Sequence, residues 1–263
     1  GLTCEQGIHA MIGALLARLS QGYRTLKYPE ETPPLSGRYR GLPQFDGTRC
    51  PADCTVCSGA CPTGAITRSE GKTRLDLGTC LFCGQCAAAC PEHALTFSRE
   101  HRMAVRQRDG LVLDGAGPFP HAAALEPGLR RLLGRSLRLR EVSAGGCNAC
   151  EADTNVLSTI SYDLARFGIQ FVASPRHADG LLVTGHVTRN METALMKTYE
   201  AIPEPNVVIA VGACAISGGM FSGHDEVVRG VGELLPVDLF VPGCPPHPLT
   251  ILDGLLRLIG RVR

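Results

Sequence analysis

The chain has 263 residues, enough for about two domains and a substantial core, so its 13 cysteines are not needed to staple a minimal scaffold. They fall below the roughly 8–10% of disulfide-dense secreted chains and are clustered, which makes disulfides the weaker reading. Net charge is +1, Trp is absent and aromatics are 5%, so no overall field points to nucleic acid or an anionic membrane as the main partner.

With 31 glycines and 18 prolines the composition suits a loop-rich protein wrapped around something other than an aromatic core. No apolar run approaches the roughly 18 residues of a membrane span, and residues 1–30 lack a basic start and small-residue cleavage site. The expectation is a soluble cofactor-binding protein of a reduced compartment. The chain starts at Gly1 rather than Met, which leaves room for residues before it.

Residues 5–21 place Ile8, Met11, Ile12, Leu15, Leu16 and Leu19 at helical spacing. The opposite face holds His9, Ala10, Gly13, Ala14 and one cation, Arg18, a poor match to a membrane-surface helix with a Lys/Arg-rich side. Packing on this chain or on a neighbouring subunit is expected. Cys4, with no partner nearby, reads as a free thiol. Residues 27–49, with Pro29, Pro33, Pro34 and Pro43, read as an extended connector.

A duplication follows. Cys54, Cys57 and Cys61 lie in register with Cys83, Cys86 and Cys90, and both copies continue as Cys-Pro with an Ala, an aliphatic residue and Thr beyond; the first copy carries one extra residue between Cys50 and Cys54. Cys80-x2-Cys83-x2-Cys86-x3-Cys90-Pro91 is the bacterial ferredoxin spacing, in which three close thiolates take three corners of a cubane and the fourth serves the other cluster. On that crossed rule Cys50, Cys54, Cys57 and Cys90 hold one [4Fe–4S] cluster, and Cys80, Cys83, Cys86 and Cys61 a second. Two zinc sites are the alternative, because Cys-x2-Cys pairs also bind Zn²⁺.

Residues 105–138 read as a bridge, Gly/Pro-rich near 110–120, and then as a short basic amphipathic helix of Leu129, Leu132, Leu133 and Leu137 among Arg130, Arg131, Arg135 and Arg138. From 139 onward, apolar runs at 139–143, 169–173, 180–184, 207–211 and 237–241 alternate with helical patterns near 151–166, 191–202 and 248–260. That alternation predicts βαβ units and a mainly parallel sheet. Cys147, Cys150, Cys214 and Cys244 each follow a predicted strand, and a parallel sheet gathers such loops at one edge. Glycines beside them allow close backbone approach. Four thiolates fit a third [4Fe–4S] cluster, with zinc or unlinked buried thiols as alternatives. Glu151 is expected at a helix start, where a carboxylate meets the positive end of the helix dipole.

The stretch from Arg40 to about Leu113, with its Cys80-Leu81-Phe82-Cys83-Gly84-Gln85-Cys86 loop, resembles the two-cluster ferredoxin-like subunit of formate hydrogenlyase and complex I. Residues from about 139 to 262, with Gly145–Glu151, Ser174–Asp179, Thr184–Arg189, Gly212-Ala213-Cys214, Ser217-Gly218-Gly219 and Val241–Pro246, resemble the small subunit of group 4 membrane-bound [NiFe] hydrogenases, homologous to the complex I subunit carrying the terminal cluster. Ala149 stands where the hydrogenase pattern has Gly, and His186 where a small residue is usual.

The resemblance implies an α+β ferredoxin-like two-cluster domain at 40–104, after an N-terminal helix and connector at 1–39. A linker at 105–138 would join it to an α/β domain at 139–263 with a mainly parallel, flavodoxin-like sheet and one [4Fe–4S] cluster. Two subunits that are normally separate would thus share one chain. The implied function is an electron relay through three [4Fe–4S] clusters to or from a hydrogenase-like large subunit. Cys147-x2-Cys150 favours the hydrogenase side over a complex I-like, nickel-free, quinone-reducing complex. Implied partners are that large subunit, membrane subunits and other iron–sulfur or electron-input subunits, at the cytoplasmic face of the cell membrane. Glu151 becomes a candidate proton relay, and His186 and Arg189 candidates for tuning the third cluster.

Overall fold

The computed structural model describes residues 4–51, 53–69, 72–114 and 117–262. Helix α1 (Cys4–Gln21) forms where the apolar periodicity places it. Met11, Leu15, Leu16 and Leu19 are 59–76% exposed, so the rest of the described chain does not cover the stripe, which corrects the expectation that it packs on this protein. The side chains of Cys4 and Ile8 lie outside the described residues. Beyond α1 the connector is tied down: Leu26 N donates to Ser161 O at 2.8 Å, and Arg166 Nη2 donates to Leu26 O and Tyr28 O at 2.7 and 2.9 Å.

The cysteine repeat folds as β1 (Pro43–Phe45), α2 (Val56–Gly59), β2 (Ile66–Ser69), β3 (Lys72–Asp76), α3 (Gln85–Ala89) and β4 (Leu95–Phe97). Helices α2 and α3 are equivalent single turns that follow the two cysteine loops. The residue before a proline is pushed out of the helical region, and Cys90, before Pro91, is extended at φ −75°, ψ 110°. Strand β1 pairs antiparallel with β4, and β2 with β3.

The stretch read as a bridge does more than connect. Val105 and Phe240 exchange backbone hydrogen bonds at 3.0 and 2.8 Å, and β5 (Val112–Leu113) adds a third strand to β2–β3. Helix α4 (Pro127–Leu133) buries Leu133, half-buries Leu129 and leaves Leu132 exposed. It stops at Gly134, where a Cβ would sit 2.5 Å from Arg130 O. Leu137 and Arg138, read as the end of that helix, instead open a strand.

That strand is β6 (Leu137–Ser143), followed by α5 (Ala149–Val156), β7 (Ile169–Phe171), β8 (Gly180–Thr184), α6 (Arg189–Glu200), β9 (Val207–Val211), α7 (Ala213–Ser217), β10 (Leu239–Val241) and α8 (Pro248–Leu258). The five strands form one parallel sheet in the order β10-β9-β8-β6-β7. Within the domain that is 2-1-3-4-5, the doubly wound order of flavodoxin. Strands β8, β9 and β10 are buried at every residue, as expected for a parallel sheet covered on both faces. Helix α5 ends earlier than the 151–166 periodicity predicts: the Thr159 hydroxyl donates to Val156 O at 2.7 Å, and Asp163 turns to φ 48°. Such local hydroxyl bonds compete with helix continuation.

The two halves share a core. One apolar cluster joins Leu75, Leu77 and Leu111 of the cysteine-repeat side to Val208, Ala210, Ile216 and Phe240 of the parallel sheet. The registers align the carboxyl ends of the strands, with Ser143 opposite Thr184 and Val211 opposite both Thr184 and Val241. The loops bearing Cys147, Cys214 and Cys244 therefore leave one edge together.

Candidate metal centres

Three cavities gather the thiols. Cys50, Cys54, Cys57 and Cys90 line the first, with Phe45, Val56 and Leu95. Cys61, Cys80, Cys83 and Cys86 line the second, with Ile66, Leu75 and Phe97. Cys147, Cys150, Cys214 and Cys244 line the third, with Gly146, Gly185, Gly243 and Glu151. None of the twelve is paired in a disulfide. In the repeat, each quartet takes three cysteines from one copy and the fourth from the other.

The local chemistry suits thiolate–iron ligation. Backbone N–H groups aim at sulfur: Ala65 N to Cys61 Sγ at 3.2 Å, Phe82 N to Cys80 Sγ and Ala94 N to Cys90 Sγ, both at 3.3 Å. Burial first, and then neighbouring thiols, push Cys80 up to about 12 and Cys86 and Cys214 up to about 11. Burial also works against ionisation of Cys61, but hydrogen bonds from Thr63, Ala65 and Ile66 win and lower its pKa. Thiols packed this way ionise only when a cationic core arrives to be ligated. Among the described residues no three His, Cys, Asp or Glu side chains are drawn tight enough for a single ion.

The third quartet sits at the carboxyl edge of the sheet, where open α/β folds bind ligands. Two glycines make room for its sulfurs. A Cβ on Gly212 (φ +91°) would stand 2.6 Å from Cys150 Sγ, and one on Gly219 (φ +57°) 2.8 Å from Cys214 Sγ. Glu151, in the first turn of α5, is 6% exposed. Its Oε1 accepts from Ser143 Oγ at 2.5 Å and Thr184 Oγ1 at 2.8 Å, hydroxyls at two aligned strand ends. His186 is outside the cavity lining: its ring stacks at 4.5 Å on Phe221, its buried Nδ1 has no partner, and burial lowers its pKa. Arg189 is exposed and donates from Nε to Asp225 O at 2.5 Å, and Arg176 is also exposed; neither lines the third cavity. His247 caps α8, its Nδ1 accepting from Leu249 N at 3.1 Å.

The second and third quartets adjoin. Burial, then the charges of Cys147 and Cys83, raise the pKa of Cys244. The loop entering Cys80 is docked there: Ser217 Oγ donates to Gly78 O at 2.9 Å. Asp76 accepts from Gly78 N at 2.9 Å and holds both ends of the Arg108 guanidinium at 2.7 and 2.5 Å.

Sequence reasoning missed two groups. Arg68, in β2, reaches across to the first quartet's loop. Glu141, in β6, has a buried Oε1 with no partner; burial first, and then the Glu151 charge, raise it from 4.5 to about 7. Its only sequence signal is a single carboxylate in a strand whose other charged residues are Arg138 and Arg140. A carboxyl raised on folding destabilises the fold once ionised, so its contribution is lost as pH rises from about 4.5 to about 7. Glu141→Gln is therefore expected to be more stable than wild type at pH 8, by about 1–2 kcal/mol after solvent screening of this partly exposed group, with the difference vanishing near pH 4. Urea denaturation at both pH values checks this.

A parallel sheet with four thiols at its carboxyl edge, beside a duplicated cysteine loop, defines an iron–sulfur electron-transfer subunit. Residues 147–258 match the family described as "NADH ubiquinone oxidoreductase, 20 Kd subunit", and residues 73–96 match a "4Fe-4S binding domain". The Pyrococcus furiosus protein named "Probable membrane-bound hydrogenase subunit mbhJ" is 43% identical over 134 residues, 51% of this chain and 80% of that one. Formate hydrogenlyase subunit 7 of Escherichia coli is 41% identical over 140 residues, 52% of this chain and 54% of that one. An NADH-quinone oxidoreductase subunit of Citrifermentans bemidjiense is 45% identical over 117 residues, 44% of this chain and 68% of that one. A chain in the solved structure of the membrane-bound sulfane sulfur reductase, an archaeal respiratory membrane complex, is 34% identical, covering 52% of this chain and 75% of that one with a TM-score of 0.45. The chain belongs to the NADH ubiquinone oxidoreductase 20 Kd subunit family, and its homologues are subunits of oxidoreductase complexes.

Proposed function

We propose that this chain carries electrons along three [4Fe–4S] clusters, to or from the catalytic large subunit of a membrane-associated group 4 [NiFe] hydrogenase or formate hydrogenlyase-like complex. It would do so as a fusion of a two-cluster ferredoxin-like unit with a hydrogenase-type small subunit. What carries this reading is the gathering of twelve thiols into three quartets, with the loop entering the second docked on Ser217 beside the third. Cys50, Cys54, Cys57 and Cys90 would hold the first cluster, Cys80, Cys83, Cys86 and Cys61 the second, and Cys147, Cys150, Cys214 and Cys244 the third.

Each cluster, when bound, accepts and releases one electron at a time. The chain's residues hold and orient the sites. Apolar side chains such as Phe45, Leu95, Ile66 and Leu75 line the first two quartets. Ser217 and the Asp76–Arg108 pair dock the second quartet against the third. Glu151, fixed by Ser143 and Thr184, can hold a proton at Oε2 beside the third quartet. Among the described residues no helix is long and apolar enough to cross a membrane. Contact with the cytoplasmic face would come through membrane subunits, and the uncovered stripe of α1 is available to a neighbouring subunit.

Cys214→Ser is expected to remove one cluster's EPR signal while two persist; retention of all three shows that Cys214 is not a ligand. A nickel-free, quinone-reducing complex is the second reading, favoured by the NADH-quinone oxidoreductase relatives. Nickel analysis of the co-purified large subunit separates the two: nickel supports the hydrogenase reading, and an active complex without it supports the second.

A further inference from the structure

We propose that Arg68 raises the reduction potential of the cluster at Cys50, Cys54, Cys57 and Cys90 by holding its cation against a ligand sulfur; this rests on the three-cluster reading above. Arg68 projects from β2, half-buried. Its Nη1 stands 3.5 Å from Cys50 Sγ and donates to Cys54 O at 2.5 Å, while Nη2 donates to Pro51 O at 3.0 Å. One guanidinium thus spans the Cys50–Cys54 loop, the loop that carries the extra residue. A planar fork of donors can brace two carbonyls and still face the sulfur, which a point-charge ammonium does less well.

Among the described residues Arg68 joins no salt bridge; its partners are two carbonyls and a sulfur. Among the described residues the other quartets show no such contact. At the second, Arg40 reaches the loop but donates only to Phe82 O at 3.4 Å and packs on Gly84, while the sulfurs are met by backbone N–H groups. At the third, the charged side chain lining the cavity is Glu151, of opposite sign. Reduction adds one electron to a core already made anionic by four thiolates, and cluster potentials follow net charge and hydrogen bonds to sulfur. A fixed cation at the ligand favours the reduced form. Guanidinium does not titrate in the working range, so the effect is independent of pH.

The test is a dithionite redox titration of the full chain followed by EPR, with iron content measured in parallel. The signal concerned is identified as the one that Cys50→Ser abolishes; if Cys50→Ser leaves every signal intact, the three-cluster reading itself fails. In Arg68→Gln that signal is expected to persist, with its reduced-to-oxidised ratio at the wild-type midpoint lowered about tenfold, a shift of about 59 mV. The other two midpoints stay in place. An unmoved midpoint at full iron content overturns the proposal and leaves the cluster assignment standing. Should Arg68→Gln lose the cluster, Arg68→Lys decides: it keeps the charge and must read near the wild-type midpoint, and a fall as large as tenfold there overturns the proposal.

Discussion

Asp253→Ala is expected to destabilise the protein by about 3–5 kcal/mol, the cost of leaving one member of a buried ion pair without the other. Asp253 is fully buried in α8 and Arg257, one turn on, is 5% exposed; Arg257 Nε donates to Asp253 Oδ2 at 2.7 Å. The other oxygen, Oδ1, accepts from Tyr28 OH at 2.7 Å, and Tyr28 OH lies 3.2 Å from His101 Nε2. Burial first, and then Asp253, raise the Tyr28 pKa far out of reach, so the phenol stays a donor. Three segments distant in sequence therefore meet on one carboxylate: the connector, the end of the cysteine repeat and the last helix. A loss on this scale is a large share of the roughly 5–15 kcal/mol of a typical domain. Urea denaturation of Asp253→Ala measures it. The double variant Asp253→Leu/Arg257→Leu, which removes both charges, is expected to recover much of the loss. A drop under about 1 kcal/mol in the single variant contradicts the account of this network.

Gly212→Ala is expected to cost the third site its cluster. The residue sits at φ +91°, where an L side chain is strained by about 1–2 kcal/mol, and its added Cβ would stand 2.6 Å from Cys150 Sγ. The sulfur cannot retreat easily, because Cys150 is buried in α5. Iron is expected to fall from about twelve to about eight atoms per chain, with two EPR signals kept. Gly219→Ala, whose Cβ would crowd Cys214 Sγ at 2.8 Å, should act in the same direction. Full iron in Gly212→Ala contradicts the placement of the third cluster among these loops.

Spacing made the cysteine quartets legible. The crossed grouping of Cys61 and Cys90 follows from the repeat alone, and the loops of Cys147, Cys214 and Cys244 converge because parallel strands end together. The strand order required the registers. Other features were hidden for physical reasons. β5 has only two residues, too few for a periodic signal, so its pairing with β3 was invisible in a stretch full of Gly and Pro. Helix α8 reads as amphipathic because Asp253 and Arg257 are charged, yet every residue from Pro248 to Leu258 is buried, its polar side sealed by Tyr28 and His101. Arg68 sits in an ordinary strand, and only the folded loop brings Cys50 to it. The stripe of α1 marks a helix, but periodicity cannot say what covers it.

The central claim is that twelve thiols hold three cubanes. Anaerobic reconstitution of the full chain, with iron and acid-labile sulfide assays and EPR of the dithionite-reduced protein, tests it most directly. About twelve iron and about twelve sulfide per chain, with three signals, are predicted. Stoichiometric zinc with no visible absorbance, or iron that plateaus near eight with Cys147, Cys150, Cys214 and Cys244 all free to alkylation, would contradict it.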